Sequence, residues 1–180
     1  MPESAARRLV FKAWPIALAL AWPAAAQVGP ISEVRGGLLA HDVAILGSHE
    51  EEGVDVNAEI LFRSPQVLRP LLAPRPHVGV DVNTLGDTSV AYAGLTWQTD
   101  IGPLWGALAF GGAVHDGEID EKPGAKGLGS RALFRLAGEV GWYASPHVSI
   151  SLLYDHYSNA TLAEDNEGLN NLGLRFGYRF

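Results

Sequence analysis

The sequence predicts an all-β fold, an eight-stranded antiparallel transmembrane β-barrel of the outer-membrane type. Three observations carry this expectation: an export-type N-terminus, eight segments in which apolar residues alternate with polar or small ones, and a last alternating segment that ends on Phe180.

The N-terminus comes first. Arg7, Arg8 and Lys12 precede an apolar stretch from Ala13 to Ala26 that closes on Ala24-Ala25-Ala26, the layout of a cleaved secretory signal. The stretch is shorter than the ~20 residues of a spanning helix, and Pro15 and Pro23 interrupt it. Residues 1–26 are therefore expected to be removed, leaving 27–180 as a single barrel domain. Taking away Glu3, Arg7, Arg8 and Lys12 leaves 10 Lys+Arg against 19 Asp+Glu, an acidic chain that is a poor partner for nucleic acid. Cys is absent, which removes disulfides and thiolate metal sites from consideration.

After the signal, no apolar run is long enough to predict a transmembrane helix. A period of two takes over. Val54, Val56, Ala58, Ile60 and Phe62 share one parity, opposed by Asp55, Asn57, Glu59, Leu61 and Arg63. Val78, Val80 and Val82 repeat the pattern, as do Leu172, Leu174, Phe176, Tyr178 and Phe180. Eight such segments fall near 34–46, 53–64, 75–84, 88–98, 104–115, 131–144, 147–158 and 170–180, most close to the length of a tilted spanning strand. Gly94, Gly106, Gly111, Gly112, Gly138 and Gly141 lie inside them, where a curved sheet or crowded lumen favours glycine. Trp97, Trp105, Trp142, Tyr143 and Tyr178 lie near strand ends and are expected to form an interfacial girdle. Inward Glu59, Arg63, Asp81, Arg135 and Glu139 are expected to plug the lumen, because eight strands leave room only for side chains.

The segment Leu174-Arg175-Phe176-Gly177-Tyr178-Arg179-Phe180 resembles the C-terminal assembly signal of bacterial outer-membrane proteins. That resemblance implies localisation in the bacterial outer membrane, its lipids as solvent, and the barrel-assembly machinery as a partner during biogenesis. With the mature N-terminus in the periplasm, external loops fall near 47–52, 85–87, 116–130 and 159–169. Residues 65–74, 99–103 and 145–146 become periplasmic turns. The first of these, with Pro65, Pro70 and Pro74, is long for such a turn.

Function has to come from a site, and the densest constellation is Tyr154-Asp155-His156-Tyr157-Ser158-Asn159-Ala160. Residues two apart on a strand point the same way with Cα atoms about 7 Å apart, so His156 and Ser158 share a face. Val148, Ile150, Leu152 and Tyr154 share it too, which places the pair on the apolar, lipid-facing wall. Ionisable groups there are functional candidates. The plainer reading is that the strand has already left the bilayer at His156.

These residues, with Leu162, Asn166, Gly168 and the closing strand, resemble the outer-membrane lipid A 3-O-deacylases, also grouped as acyloxyacyl hydrolase-like proteins. The resemblance implies a serine esterase acting on lipid A of lipopolysaccharide; no cofactor or metal site is expected, and the sequence leaves open whether a divalent ion assists. Ser158 would be the nucleophile, His156 the general base and Asn159 an oxyanion donor. The family has a Glu twelve residues beyond the nucleophile to orient the imidazole, and Asn170 stands at that position here. Glu164 and Glu167 are nearby substitutes, whereas Asp155 has the wrong parity. The acyl chain would lie along Leu152, Tyr154, Leu172 and Leu174, and the sugar phosphates would meet Lys122, Lys126 or Arg131 if these are not simply solvated.

Other chemistry is thinner. His49-Glu50-Glu51-Glu52 reads as a solvated acidic loop rather than a cation site, since consecutive residues do not all converge. The alternative to an esterase is a non-catalytic barrel with a structural or surface-binding role. The sequence leaves open whether two barrels pair as a homodimer.

Overall fold

The computed structural model describes residues 29–45 and 47–180, so the expected signal segment and its cleavage point lie outside the described residues. The alternating segments form eight strands: β1 (Ile31–Ala40), β2 (Val54–Phe62), β3 (Arg75–Asn83), β4 (Val90–Ile101), β5 (Leu104–His115), β6 (Ala132–Tyr143), β7 (Val148–Ser158) and β8 (Leu169–Arg179). Each pairs antiparallel with its sequence neighbour, and β1 also pairs with β8. The sheet closes into a barrel with no free edge, which satisfies every backbone ladder without water.

Strand β4 runs to Ile101, so the turn expected at 99–103 narrows to 102–103, and two further regions differ from expectation. Strand β1 stops at Ala40 instead of running to 46, because Asp42 takes a positive φ of 46° and the Val43 N–H donates to Asn170 O at 2.7 Å. The chain thereby leaves the sheet and crosses the outer wall. The proline-rich 65–74 turn contains a short 3-10 helix, Gln66–Leu71, followed by Leu72 and Ala73 in the left-handed region.

Alternation decides the two faces. Val56, Val78, Val80, Leu108, Phe110, Leu136, Val140, Ile150, Leu152, Leu174 and Phe176 are exposed on the outside. An apolar belt of that extent is a surface for lipid rather than for water. The inside is ionic. Arg35 bonds Glu33 at 2.8 Å and Glu139 at 2.5 Å, Arg175 bonds Glu139 and lies 3.4 Å from Glu59, and Arg135 bonds Asp155 at 3.1 Å. Tyr157 donates to Asp81 at 2.6 Å, and the Arg135 guanidinium stacks 3.9 Å over Tyr92. The space left among Glu59, Thr96, Arg135, Glu139 and Arg175 is about 10 Å³, so the lumen is plugged and not a pore.

Three residues are placed otherwise than the sequence suggests. Arg63 lies beyond the end of β2, exposed, and donates to Gly29 O, so it takes no part in the plug. Trp105 is buried inside, 4.4 Å from the Arg35 guanidinium. Tyr143 joins Gln98 and Asp100 at the barrel mouth opposite the long loops. Trp97, Trp142 and Tyr178 remain on the outer face.

Candidate active site on the outer wall

Burial alternates along β7. Ser149, Ser151, Leu153, Asp155 and Tyr157 are buried inward, while Val148, Ile150, Leu152, Tyr154, His156 and Ser158 are partly or fully exposed outward. His156 and Ser158 therefore do share the lipid-facing side near the end of the strand that carries the long loops. On β6 they are paired with Leu136 and Phe134, both exposed apolar residues.

Asn170 is the residue directly opposite His156 on β8. Its side-chain oxygen receives two donors, His156 Nδ1 at 2.7 Å and the Tyr154 hydroxyl at 2.8 Å. An amide oxygen only accepts, so the ring nitrogen facing it has to be a donor. Nδ1 then carries the imidazole proton, and Nε2 is left as the bare, basic nitrogen. Among the hydrogen bonds of the described residues none joins Ser158 Oγ to the ring, so the structure brings together His156, Asn170 and Tyr154 and leaves Ser158 as an unlinked neighbour.

Asn170 is fully buried although it lies on the outward parity. The first long loop, running between β1 and β2, covers it, and a Cβ built at Gly47 would stand 3.6 Å from its amide nitrogen. Gly168 performs a related service for the imidazole. Its φ is 67°, and a Cβ there would meet His156 Cε1 at 2.9 Å, so only glycine lets this backbone lie against the ring.

Several expected partners have other occupations. Both hydrogens of the Asn159 amide go to loop carbonyls, Leu128 O at 3.0 Å and Asp165 O at 2.5 Å, and the side chain is buried. Asn159 thus staples two loops together and is not free to serve an oxyanion. Glu167 accepts from the Gly127 N–H at 2.5 Å, and Glu164 is exposed; neither backs the imidazole. Asp155 points inward to Arg135, as its parity required. Of the three cations considered for sugar phosphates, Lys126 is buried against Asp42 at 3.3 Å and Ser48 O at 2.6 Å. Lys122 is exposed and paired with Glu118, and Arg131 donates to Gly117 O.

The acidic loop also departs from its solvated reading. Glu51 is buried and accepts from the Thr88 hydroxyl at 2.9 Å and the Lys126 N–H at 2.9 Å. His41, which no sequence pattern singles out, donates to Asp55 and Glu51, each at 2.9 Å. This network lies at the loop end of the barrel, beyond the spanning strands. Burial opposes the charged imidazolium, but the hydrogen bonds to Asp55 and Glu51 outweigh it and push His41 up to about 9. Burial likewise opposes the Glu51 carboxylate, yet its bonds from His41, Lys126 and Thr88 bring it down to about 2.

Comparison with known proteins bears on the greater part of the chain. The family model described as lipid A 3-O-deacylase (PagL) matches residues 71–179, well over half of the sequence and inclusive of His156, Ser158 and Asn170. No curated protein matches the chain. Among solved structures, the outer membrane enzyme PagL superposes with a TM-score of 0.57 at 15% identity, over 83% of this chain and 100% of that one. Neisserial surface protein A gives 0.54 at 13% identity, over 82% and 96%. The N-terminal β-barrel domain of Pseudomonas aeruginosa OprF gives 0.52 at 9% identity, over 83% and 98%. At such identities these structures speak for the barrel fold alone.

Proposed function

Because the chain belongs to the lipid A 3-O-deacylase (PagL) family, we propose that it hydrolyses an ester-linked hydroxyacyl chain of lipid A, with Ser158 as nucleophile and His156 as general base. It is a lipid A deacylase-like barrel of the bacterial outer membrane, and its substrate is a component of the lipid around it. The observation that carries the reading is the 2.7 Å bond from His156 Nδ1 to Asn170, on the outward wall and two residues from Ser158. It leaves Nε2 unprotonated on a face that acyl esters reach without extraction from the bilayer.

The steps follow from the residue types. Ser158 Oγ adds to the ester carbonyl carbon while Nε2 takes the hydroxyl proton. The tetrahedral adduct then expels the sugar oxygen, which receives the proton from Nε2, and an acyl-serine remains. Water adds to that acyl group with Nε2 again accepting a proton, and collapse returns the proton to Ser158 Oγ and frees the fatty acid. The imidazole must swing or the serine rotate for the first transfer, since such bonds commonly tighten only when substrate is bound.

An oxyanion donor is still required, and Asn166 is better placed for it than Asn159. Its side-chain oxygen accepts the Asn159 N–H at 3.0 Å, which anchors the amide within one residue of Ser158. The side chain is half-exposed, and its Nδ2 makes no hydrogen bond among the described residues. Asn170 positions the imidazole but offers it no charge, so the imidazolium formed in each step is stabilised less than beside a carboxylate.

Mass spectrometry of lipid A from cells expressing the protein tests this reading. Loss of one hydroxyacyl chain with the intact protein, and none with Ser158→Ala, is expected. A lipid A spectrum unchanged by the intact protein would leave only the non-catalytic barrel.

A further inference from the structure

At the rim opposite the long loops, neighbouring strands end at different levels. Strand β3 pairs with β4 only from Asp81 opposite Val90 to Arg75 opposite Thr96, whereas β5 follows β4 on to Ile101. Residues 97–101 therefore stand beyond the start of β3 with a partner strand on one side alone. The proline-rich 65–74 turn flanks the other side, tied there by a 2.8 Å bond from Trp97 Nε1 to Leu71 O. A cleft of about 400 Å³ opens at this step in the rim, and Leu72, Ala73, Arg75, Trp97, Asp100 and Arg179 are among the residues that line it.

Alternation gives the cleft two ends of different character. Trp97 has the outward parity of β4, and Gln98 and Asp100 have the inward one. Beside Trp97, Leu71 is exposed and Leu72 is 85% exposed, held in the left-handed region at a φ of 67°. The cleft thus crosses the rim, apolar where it meets the wall and charged where it meets the mouth.

Two opposite charges face that space, each held in place and neither matched. The Arg179 guanidinium lies 4.6 Å over the Tyr143 ring and makes no ion pair among the described residues. The other strand arginines, Arg35, Arg75, Arg135 and Arg175, each meet a carboxylate. Asp100 accepts at one oxygen from Gln98 at 2.8 Å and from the Tyr143 hydroxyl at 3.1 Å, and among the described residues it meets no cation. Gln98 is clamped in turn by Arg35 at 2.8 Å and Arg75 at 2.5 Å, so the plug fixes the carboxylate. Arg75 itself is matched by Glu33 at 2.7 Å. A simple anion would satisfy the free guanidinium and be repelled by Asp100, whereas a zwitterion satisfies both.

We propose that this cleft binds a glycerophospholipid with a phosphoethanolamine headgroup, its phosphate on Arg179, its primary ammonium on Asp100 and its acyl chains running past Leu72 and Trp97. The short turns of outer-membrane barrels face the periplasm, so the lipid comes from the inner leaflet. Residues 63–76 bring Arg63, Arg69 and Arg75 to this end without any Asp or Glu, which favours the approach of phosphates. The extra length of the 65–74 turn acquires a purpose, since a hairpin connection alone needs no such segment. The cleft lies at the end of the barrel away from His156, and the proposal stands independently of the esterase reading.

The test places the full-chain protein in nanodiscs of equal parts phosphatidylethanolamine, phosphatidylglycerol and phosphatidylcholine and reads the retained lipid by native mass spectrometry. One phosphatidylethanolamine per barrel is expected, favoured at least about tenfold over the other two, the scale of one hydrogen bond between charged groups. Phosphatidylcholine has no N–H to offer Asp100, and phosphatidylglycerol has no cation. Asp100→Asn should turn the preference towards phosphatidylglycerol, a reversal that misfolding does not produce. Arg179→Gln should remove the retained lipid, and Arg63→Gln, outside the cleft, should leave it. Equal retention of the three lipids, or a preference that Asp100→Asn does not move, overturns the proposal. Displacement of the lipid by an equal concentration of soluble glycerophosphoethanolamine overturns it too, because the site would then take a headgroup without chains.

Discussion

The barrel carries two dense polar groups within one sheet, on opposite faces, and they are built in opposite ways. Inside, Arg35, Arg135 and Arg175 meet Glu33, Glu59, Glu139 and Asp155 so that every charge faces a counter-charge. Outside, His156 is held at one nitrogen by a neutral amide, and its second nitrogen makes no hydrogen bond among the described residues. Ion pairing on all sides makes a plug, and one-sided anchoring suits the general base we propose. The same alternation that sends Asp155 and Tyr157 inward sends His156 and Ser158 outward. A one-residue slip would exchange the two roles.

The contrast breaks most sharply at His156. His156→Gln should lower kcat by about 10⁴ or more, as removal of a base from a nucleophile pair does. Stability should change by less than about 1 kcal/mol, since only one partly exposed hydrogen bond is altered. Lipid A mass spectrometry over a time course and urea unfolding read the two quantities. A variant that unfolds early would make the outer group structural, like the inner one. The reverse experiment is Arg175→Met, which leaves Glu59 and Glu139 short of their partner and should cost about 3–5 kcal/mol. The folded fraction should deacylate at an unaltered rate. Loss of activity without loss of stability there would tie the plug to the chemistry.

Asn170 sharpens the comparison because it is the outer group's only counterpart to a plug carboxylate. Asn170→Ala should reduce kcat about 10- to 100-fold, the range over which an outer partner that orients a histidine commonly matters. Asn170→Glu should raise kcat above that of the unaltered protein, provided the first long loop still closes over the position. A rate unaffected by either substitution would show that the imidazole needs no orienting partner.

How much of this was legible in the sequence depends on the range of the interaction. The parity of Val54 to Phe62, and of His156 and Ser158, is a local property, and the period of two conveys it directly. Trp105 was misplaced because β5 is apolar or small on both faces, with Ala107 and Ala109 inward and Leu108 and Phe110 outward. It shares the inward parity of Ala107 and Ala109 and meets Arg35 of β1 there, 4.4 Å from its guanidinium. The loop residues were least legible. Lys126, Glu51 and Asn159 look like solvated positions until Ser48, His41 and Leu128 are brought to them by closure of the barrel. The site was read in outline, His156 opposite Asn170, because antiparallel pairing across one hairpin is nearly local. The Asn159 role was not, because its partners come from two loops at once.

The smallest effect concerns those loops, where a third arrangement combines the other two: His41 is buried and paired like the plug, yet sits beyond the strands with the site. His41 titrates at about 9 when folded, above its ordinary value near 6.5, so its contribution is complete below about 6.5 and fades as pH rises through about 9. Glu51 has the opposite sign. It titrates at about 2 when folded against 4.5 ordinarily, so its contribution is present above about 4.5 and is lost as pH falls through about 2. The loop network should therefore be tightest between about pH 4.5 and 6.5. Amide exchange in residues 41–53 should quicken above about pH 9 beyond its intrinsic pH dependence, while exchange in β7 and β8 keeps the intrinsic slope. Because the same loop covers Asn170, deacylation should weaken modestly over that interval, and in His41→Gln the excess exchange should already be present at pH 6. Exchange in 41–53 that follows the intrinsic slope throughout would show that the loop is held by its backbone bond to β8 and not by its charges.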